Sequence, residues 1–139
     1  MIRSVTIGEE IVVTTRNKIG ILADTSVIMA NHGVNIESLL GYESGLTAKL
    51  LFMTSGNLRV LNELRKKKYK SIKETEVVVV ELNNKPGALK VVAMELKNNK
   101  IDVKHVYVTS SSQGGDSSRM VLQTSDNEKA MSLLSRFVT

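Results

Sequence analysis

The chain has 139 residues, a net charge of +5 and no cysteine, which excludes disulfide bonds, thiolate nucleophiles and cysteine-based metal sites. Its length corresponds to one ordinary domain or two very small ones, and its hydrophobic fraction of 42% is sufficient for a packed core. No apolar run approaches the roughly 20 residues of a membrane-spanning helix, and no signal peptide is visible at the N-terminus, so we expect a cytoplasmic protein without membrane association.

The sequence repeats itself. A shift of 67 residues aligns Asn17-Lys18-Ile19-Gly20-Ile21-Leu22 with Asn84-Lys85-Pro86-Gly87-Ala88-Leu89, and the same shift carries Ile36 onto Val103 without a gap. After one insertion the shift becomes 70 residues, and Thr54-Ser55 aligns with Thr124-Ser125. Two long ungapped blocks are difficult to obtain by chance, so the chain is predicted to contain two copies of one unit.

Copy one is predicted to contain a strand, a helix, two strands, a helix and a last strand, over 11–15, 22–32, 34–40, 46–54, from Ser55 or Asn57, and over 70–75. The strands are apolar, β-branched runs. Leu22, Thr25 and Met29 form the predicted buried stripe of the first helix, and Gly33 is suited to end it. Residues Leu58, Leu61 and Leu64 are expected to be the buried face of the second helix.

Copy two is predicted to follow the same order, over 77–82, 89–98, 101–109, 119–124 and from Ser125 onwards. In its first helix the apolar stripe is Leu89, Val92, Ala93 and Leu96, and Asn98 or Asn99 is expected to take the left-handed position that Gly33 has in copy one. Ser125 and Glu128 have capping-box spacing before the last helix, whose expected buried residues are Ala130, Leu133, Leu134 and Phe137.

The order βαββαβ predicts an α+β fold of two tandem ferredoxin-like units, each with two helices on one face of an antiparallel sheet. We assign 1–75 to the first unit, with 1–8 as an N-terminal extension, and 76–139 to the second. Because no linker separates them, the units are expected to pack as one body. The second unit lacks its own fourth strand, so the N-terminal segment or another chain is expected to cover the open edge.

The turn at 84–89 lies between a predicted strand and a predicted helix. Backbone N–H groups at a helix N-terminus have no intrahelical partner and favour anions, so the turn is a plausible site for a carboxylate. A purely structural interpretation stays open. Gly20 and Gly87 suit a backbone with positive φ or close packing, Asn17 and Asn84 suit the shaping of a turn, and Asn35 and Asp102 suit an exposed strand start.

These features together resemble the ACT domain. The resemblance rests on the βαββαβ order, on the motif Asn84-Lys85-Pro86-Gly87-Ala88-Leu89, and on Val34-Asn35-Ile36 and Ile101-Asp102-Val103 at the second strands. Two units over about 10–139 are similar to the stand-alone tandem ACT proteins, in which no enzyme domain accompanies the regulatory units. The resemblance implies an allosteric sensor that binds a small molecule, usually an amino acid, between units, and a homodimer.

The family resemblance also implies which residues bind the ligand. The backbones of Ile19, Gly20, Ile21 and Leu22 and of Pro86, Gly87, Ala88 and Leu89 would bind the ligand carboxylate, and Asn17 and Asn84 its polar head. Asn35 and Asp102, with Ile36 and Val103 beside them, would contact the ligand from the facing unit, Asp102 through the ammonium group. Copy one departs from the pattern because Ile19 replaces the proline, so its turn is less pre-set, and copy two is the favoured site.

Other functions have weaker support in the sequence. His32 and His105 have no motif around them, and no metal, phosphate-loop or nucleophile motif is present, so we expect no catalytic residue and no cofactor. An RNA-binding module is the alternative, through the basic run 65–73. Phe52 is, however, the only aromatic residue in the third strands, where such modules stack bases. A ligand-free assembly module is the third possibility, and the sequence does not identify a regulated enzyme or transcription partner.

Overall fold

The computed structural model of the chain describes residues 1–16, 19–67, 69, 71–110 and 116–139. Its helices and strands are β1 Ile2–Thr15, α1 Ile21–Asn31, β2 Ile36–Ser44, β3 Thr47–Thr54, α2 Asn57–Leu64, β4 Ser71–Asn83, α3 Ala88–Asn98, β5 Val103–Ser110, β6 Ser117–Thr124 and α4 Asn127–Ser135. The six strands pair in the order β2-β3-β1-β4-β6-β5. The predicted α+β, ferredoxin-like fold is confirmed.

The chain divides into two compact units. The first unit is Glu9–Thr75, and the second unit combines Met1–Gly8 with Glu76–Thr139. The long strands β1 and β4 each contribute one half to each unit, which gives every unit a four-stranded sheet. The N-terminal segment, which the sequence pattern attached to the first unit as an extension, therefore packs with the second unit.

Met1–Gly8 lies along the edge of the second unit that the sequence left without a strand. The N–H of Asn83 donates to the carbonyl of Met1 at 2.9 Å, and the N–H of Thr139 donates to the carbonyl of Ile2 at 3.1 Å. Arg3 adds a hydrogen bond from its Nε to the side chain of Asn83 at 2.6 Å. The backbone groups of β4 are thereby paired on that edge, as a sheet requires.

The core of the first unit lies between its two helices and alternate residues of its strands. Ile11 and Val13 of β1 and Leu50 and Phe52 of β3 are buried on one face of the sheet, because successive strand residues point to opposite faces. The helices contribute the rest of this core, listed here as Ile21, Ile28, Met29, Val60, Leu61 and Leu64.

The core of the second unit is built in the same way. Val78, Val80 and Leu82 of β4 face Met120 and Leu122 of β6. Buried helix residues and two from the N-terminal segment complete it, namely Ala88, Val92, Leu96, Ala130, Leu133, Leu134, Ile2 and Val5.

The strand register repeats between the units. Leu39 pairs with Phe52 in the first unit, and Val106 pairs with Leu122 in the second. The two strands of each pair are related by the shifts of 67 and 70 residues found in the sequence, so the insertion lies in the hairpin between them.

The buried stripe of α3 differs from the predicted one. Ala88, Val92 and Leu96 are its buried residues, whereas Leu89 is 54% exposed and Ala93 is exposed. The helix presents positions i, i+4 and i+8 to the core, which turns the next residue of each pair outward. The same error affects residues of the other helices that were predicted to be buried and are exposed, namely Leu22, Leu58 and Phe137.

Two helix ends also differ from the prediction. Gly33 has the expected positive φ of 63°, but in the second unit Lys100 itself adopts φ 57°, rather than Asn98 or Asn99. Asp126, not Ser125, caps α4, and its carboxylate accepts the N–H of Lys129 at 3.0 Å. Two adjacent polar side chains competed for the capping position, and Ser125 instead pairs with the start of the second strand.

Candidate ligand site

The turn after β4 is held by its own backbone. The N–H of Lys85 donates to the carbonyl of Asn83 at 2.9 Å, and the N–H of Ala88 donates to that of Lys85 at 3.3 Å. Asn84 is tied to the neighbouring loop, since its N–H donates to the carbonyl of Asp116 at 2.9 Å. Gly87 follows with φ 91°, a left-handed conformation that glycine adopts without steric cost.

Gly87 is the N-cap of α3, and within the described part of the chain no side chain caps this helix. The first intrahelical bond runs from the N–H of Val91 to the carbonyl of Gly87 at 3.3 Å. The N–H groups of Leu89 and Lys90 therefore belong to the first turn and have no intrahelical acceptor. The first turn contains no acidic residue, so its partial positive charge favours an incoming anion.

A cavity of about 220 Å³ lies against this turn. Asn84, Lys85, Ala88 and Leu89 line it from the turn and the start of α3, and the strands contribute Leu82, Asn83, Val108 and Ser118. The polar groups thus include a lysine ammonium and two amide side chains. The cavity combines hydrogen-bonding groups at the turn with apolar groups of Leu82, Leu89 and Val108.

The N-terminal segment lies next to the same turn. A Cβ placed on Gly87 would lie 3.6 Å from Cε of Met1, and Arg3 pairs with Asp116 through Nη2 and Oδ2 at 3.3 Å. The hydrogen bond and positive charge of Arg3 hold the pKa of the Asp116 carboxyl below its usual value. Pro86 is exposed in the turn, between Lys85 and Gly87.

Asp102 and Val103 lie at the other end of the second unit's sheet. Val103 pairs with Thr124 of β6, whereas Asn83, at the turn end, pairs with Ser117. Seven residues of strand separate these positions, roughly 24 Å. The backbone of Asp102 is bound to Ser125, with its N–H on Oγ at 3.0 Å, and its side chain is exposed. Within the second unit the structure does not bring Asp102 to the Pro86–Leu89 turn.

The turn of the first unit differs from its counterpart. Gly20 has φ −90°, a right-handed conformation, and Asp24 places a carboxylate in the first turn of α1. Ile19 is 97% exposed, Ile21 is buried, and Leu22 is 51% exposed. Asn17 lies outside the described residues. The Asp24 charge disfavours a second anion at this helix start.

Asn35 and Ile36 are likewise remote from the first unit's turn. Asn35 exchanges backbone and side-chain hydrogen bonds with Ser55, from its N–H to Oγ at 2.9 Å. Ile36 pairs with Thr54, while Thr15, at the turn end, pairs with Ala48. Each unit therefore has two separate groups of candidate residues at opposite ends of its sheet.

Three residues near the second turn were not among the predicted site residues. Lys85 was part of the quoted motif but was assigned no role, although its position beside the turn marks it as the nearest cation. Ser118 and Val108 come from strands whose register a local pattern does not specify. Pairing of Leu82 with Ser118 brings them to the turn, and only the sheet register reveals this.

The residues considered for other functions lie in plain structural settings. Phe52 is fully buried against the helices, so it cannot stack on a base. The basic run begins where α2 ends, at the C-cap Arg65, and Lys66 pairs with Glu63 at 3.0 Å; Lys68 and Lys70 lie outside the described residues. His32 lies 3.7 Å from Glu63.

Among the described residues, no group of three or more histidine and acidic side chains has metal-binding geometry. None of the described helices combines the length and apolarity needed to cross a bilayer.

No protein-family model matches the chain, and no curated protein matches it significantly. Solved structures do match. A Bacteroides thetaiotaomicron protein superposes with a TM-score of 0.86 at 20% identity, over 96% of this chain and 90% of that one. The regulatory subunit of aspartate kinase from Thermus thermophilus, in a ligand-free form, gives a TM-score of 0.66 at 10% identity, over 97% of both chains. Aspartokinase alpha and beta subunits give 0.65 at 14% identity, over 98% of this chain and 97% of that one. At these identities the likeness establishes that the chain shares the fold of these proteins.

Proposed function

We propose that this chain is a regulatory protein that binds an amino acid at the Pro86–Leu89 turn of its second unit. The observation that carries the proposal is the turn itself: a left-handed Gly87 starts a helix without a side-chain cap, beside a cavity that contains Lys85. Its fold likeness to regulatory subunits of aspartate kinase and its resemblance to the ACT domain support a sensory rather than a catalytic role.

The roles of the residues follow from the geometry of the turn. The N–H groups of Leu89 and Lys90 and the ammonium of Lys85 favour the ligand carboxylate, because charge-assisted hydrogen bonds are the stronger ones. Asn84 is the candidate for the polar head. The first unit's turn is the weaker candidate, since Asp24 repels a carboxylate there.

The proposal includes a homodimer. Asp102 is remote from the turn of its own unit, so its contact with the ligand ammonium requires a facing unit, which another copy of the chain would present. The end strands β2 and β5 are natural surfaces for such an assembly, because sheet edges are usually covered. Light scattering should then report twice the chain mass.

A thermal-shift screen against the standard amino acids tests the proposal. A ligand at 100 times its Kd stabilises the folded state by about 2.7 kcal/mol, which raises Tm by roughly 10 °C for a chain of this size. Gly87→Val should abolish the shift, because the side chain disfavours the left-handed turn, whereas Gly20→Val at the right-handed counterpart should preserve it. No shift with any amino acid, combined with salt-sensitive retention on RNA, would favour the RNA-binding alternative.

A further inference from the structure

We propose that the ligand is an amino acid with an aliphatic side chain of about three to four carbons, and that this side chain binds in an apolar cleft between α3 and β5. The inference rests on the proposed function and names the class of amino acid that the second unit selects. A cleft of about 140 Å³ lies between the outward side of α3 and the strands β5 and β6.

The walls of the cleft are aliphatic. Leu89, Val92 and Leu96 line it from the helix, and Val106 and Leu122 line it from the sheet. Its floor is part of the second unit's core, since Val92, Leu96 and Leu122 are all buried there. Leu89 and Val106 are 54% and 47% exposed, so apolar surface that a ligand can cover faces solvent at the mouth.

The cleft exists because of two local features. The core stripe of α3 is Ala88, Val92 and Leu96, which leaves Leu89 and Ala93 on the side of β5. Ala93 is small and lines the cleft, so the space beside it stays open. β5 is an end strand of the sheet, and no further strand closes the cleft from that side.

The cleft meets the polar cavity at the turn. Leu89 lines both spaces, and Val106 and Val108 are neighbours on one face of β5. A ligand with its carboxylate at Lys85 therefore has the apolar cleft within reach of its side chain. An apolar cavity of about 150 Å³ accommodates a benzene-sized group, which sets an upper limit of about six carbons. A charged side chain would lose its hydration there without a partner.

The first unit does not offer an equivalent cleft. The repeat places Ser26 where Ala93 lies and Phe52 where Leu122 lies. The hydroxyl of Ser26 donates to the carbonyl of Leu22 at 2.7 Å, so this position is polar and occupied. Phe52 is larger than leucine and fully buried. The aliphatic selectivity therefore belongs to the second unit.

Calorimetric titration of the full chain with glycine, alanine, 2-aminobutyrate, norvaline, leucine and aspartate tests the inference. Affinity should rise about fourfold for each added methylene or methyl group up to norvaline and leucine, and aspartate should bind no better than alanine. Ala93→Leu should fill the cleft and lower leucine affinity at least tenfold while leaving alanine affinity unchanged. Ala93 is exposed on the helix, so this variant should fold.

Two further variants make the test specific. Ser26→Leu, at the matching position of the first unit, should not change leucine affinity. Val106→Ser should weaken leucine binding and spare alanine binding. Equal affinity along the series, a preference for aspartate, or full leucine affinity in Ala93→Leu would overturn the inference while the proposed function stood. Failure of every amino acid to bind the unmodified chain would overturn both.

Discussion

Two glycines that the repeat aligns have opposite backbone conformations. Gly87 adopts φ 91° before α3, and Gly20 adopts φ −90° before α1. A Cβ on Gly87 would find its nearest neighbour at an ordinary distance of 3.6 Å. The cost of a side chain at Gly87 is therefore conformational rather than a steric clash with another residue.

Replacing these glycines by alanine should change the stability in opposite directions. Gly87→Ala forces a non-glycine residue into the left-handed region and should lower the free energy of unfolding by about 1–2 kcal/mol. Gly20→Ala should raise it by about 0.4–1 kcal/mol, because alanine restricts only the unfolded chain. Urea denaturation midpoints with unchanged m-values measure both effects. Equal effects at the two positions would contradict the assigned conformations.

Tyr69 gives the first unit an alkaline pH dependence. Its hydroxyl oxygen is buried without a hydrogen-bond partner among the described residues. Burial, and secondarily the charge of Asp24, raises the pKa of Tyr69 above its usual value of 10.0. The folded state therefore binds this proton more tightly than the unfolded state.

Stability from this source is fully present below about pH 10 and is lost as the pH rises through the higher folded pKa. Tyr69→Phe should remove that part of the alkaline loss, with little change at pH 7. Denaturation midpoints measured from pH 7 to 11 for both proteins test this. Parallel profiles would show that the phenol is not the group responsible.

At the scale of elements, an asparagine joins a helix to two strands in each unit. Asn127 accepts the N–H and the hydroxyl of Thr124 at 2.9 and 2.8 Å, and its Nδ2 donates to the carbonyl of Glu76 at 2.9 Å. In the first unit Asn57 makes the same contacts with Thr54 and Glu9. The arrangement ties the start of each second helix to its sheet.

Asn127→Ala should cost about 2–3 kcal/mol of unfolding free energy, at about 1 kcal/mol for each hydrogen bond lost. Asn98→Ala, at the exposed end of α3, is the control and should change stability by less than about 0.5 kcal/mol. Denaturant titration measures both. Equal effects of the two substitutions would mean that Asn127 does not anchor α4.

The N-terminal segment should stabilise the second unit. Deleting residues 1–7 removes Ile2 and Val5 from its core and unpairs the edge of β4. We expect a lower Tm and faster hydrogen exchange over 77–82, because these amides lose their protection. Arg3→Met removes only an exposed ion pair and should change exchange little. Unchanged Tm and exchange after the deletion would contradict the strand pairing.

Element order was predictable from the sequence, because strands and helices differ in hydrophobic period. The side of α3 that faces the core was not, since Leu89 and Ala88 are both apolar neighbours and only the packing decides between them. The pairing of Met1–Gly8 with β4 was expected as one of two possibilities. Local patterns could not decide, because a long-range strand pair leaves no periodic signal in either segment.

At the scale of the whole molecule, the sequence located the second turn but not the complete site. Proline, glycine and the strand–helix boundary identify Pro86–Leu89 from local chemistry alone. Lys85 and Ser118 acquire their places through tertiary structure, the latter through the register of β6 against β4. The grouping of Asp102 with the turn depends on a facing unit, which sequence spacing cannot specify.

The most direct test of the central claim is a map of backbone amide chemical shifts as leucine is titrated into the uniformly ¹⁵N-labelled chain. Binding at the second turn predicts that the largest changes occur at Gly87, Leu89 and Lys90, with smaller ones at Val106 and Val108. The equivalent amides of Gly20 and Leu22 should change less. Absence of any shift, or changes concentrated at 65–73, would contradict the proposed site.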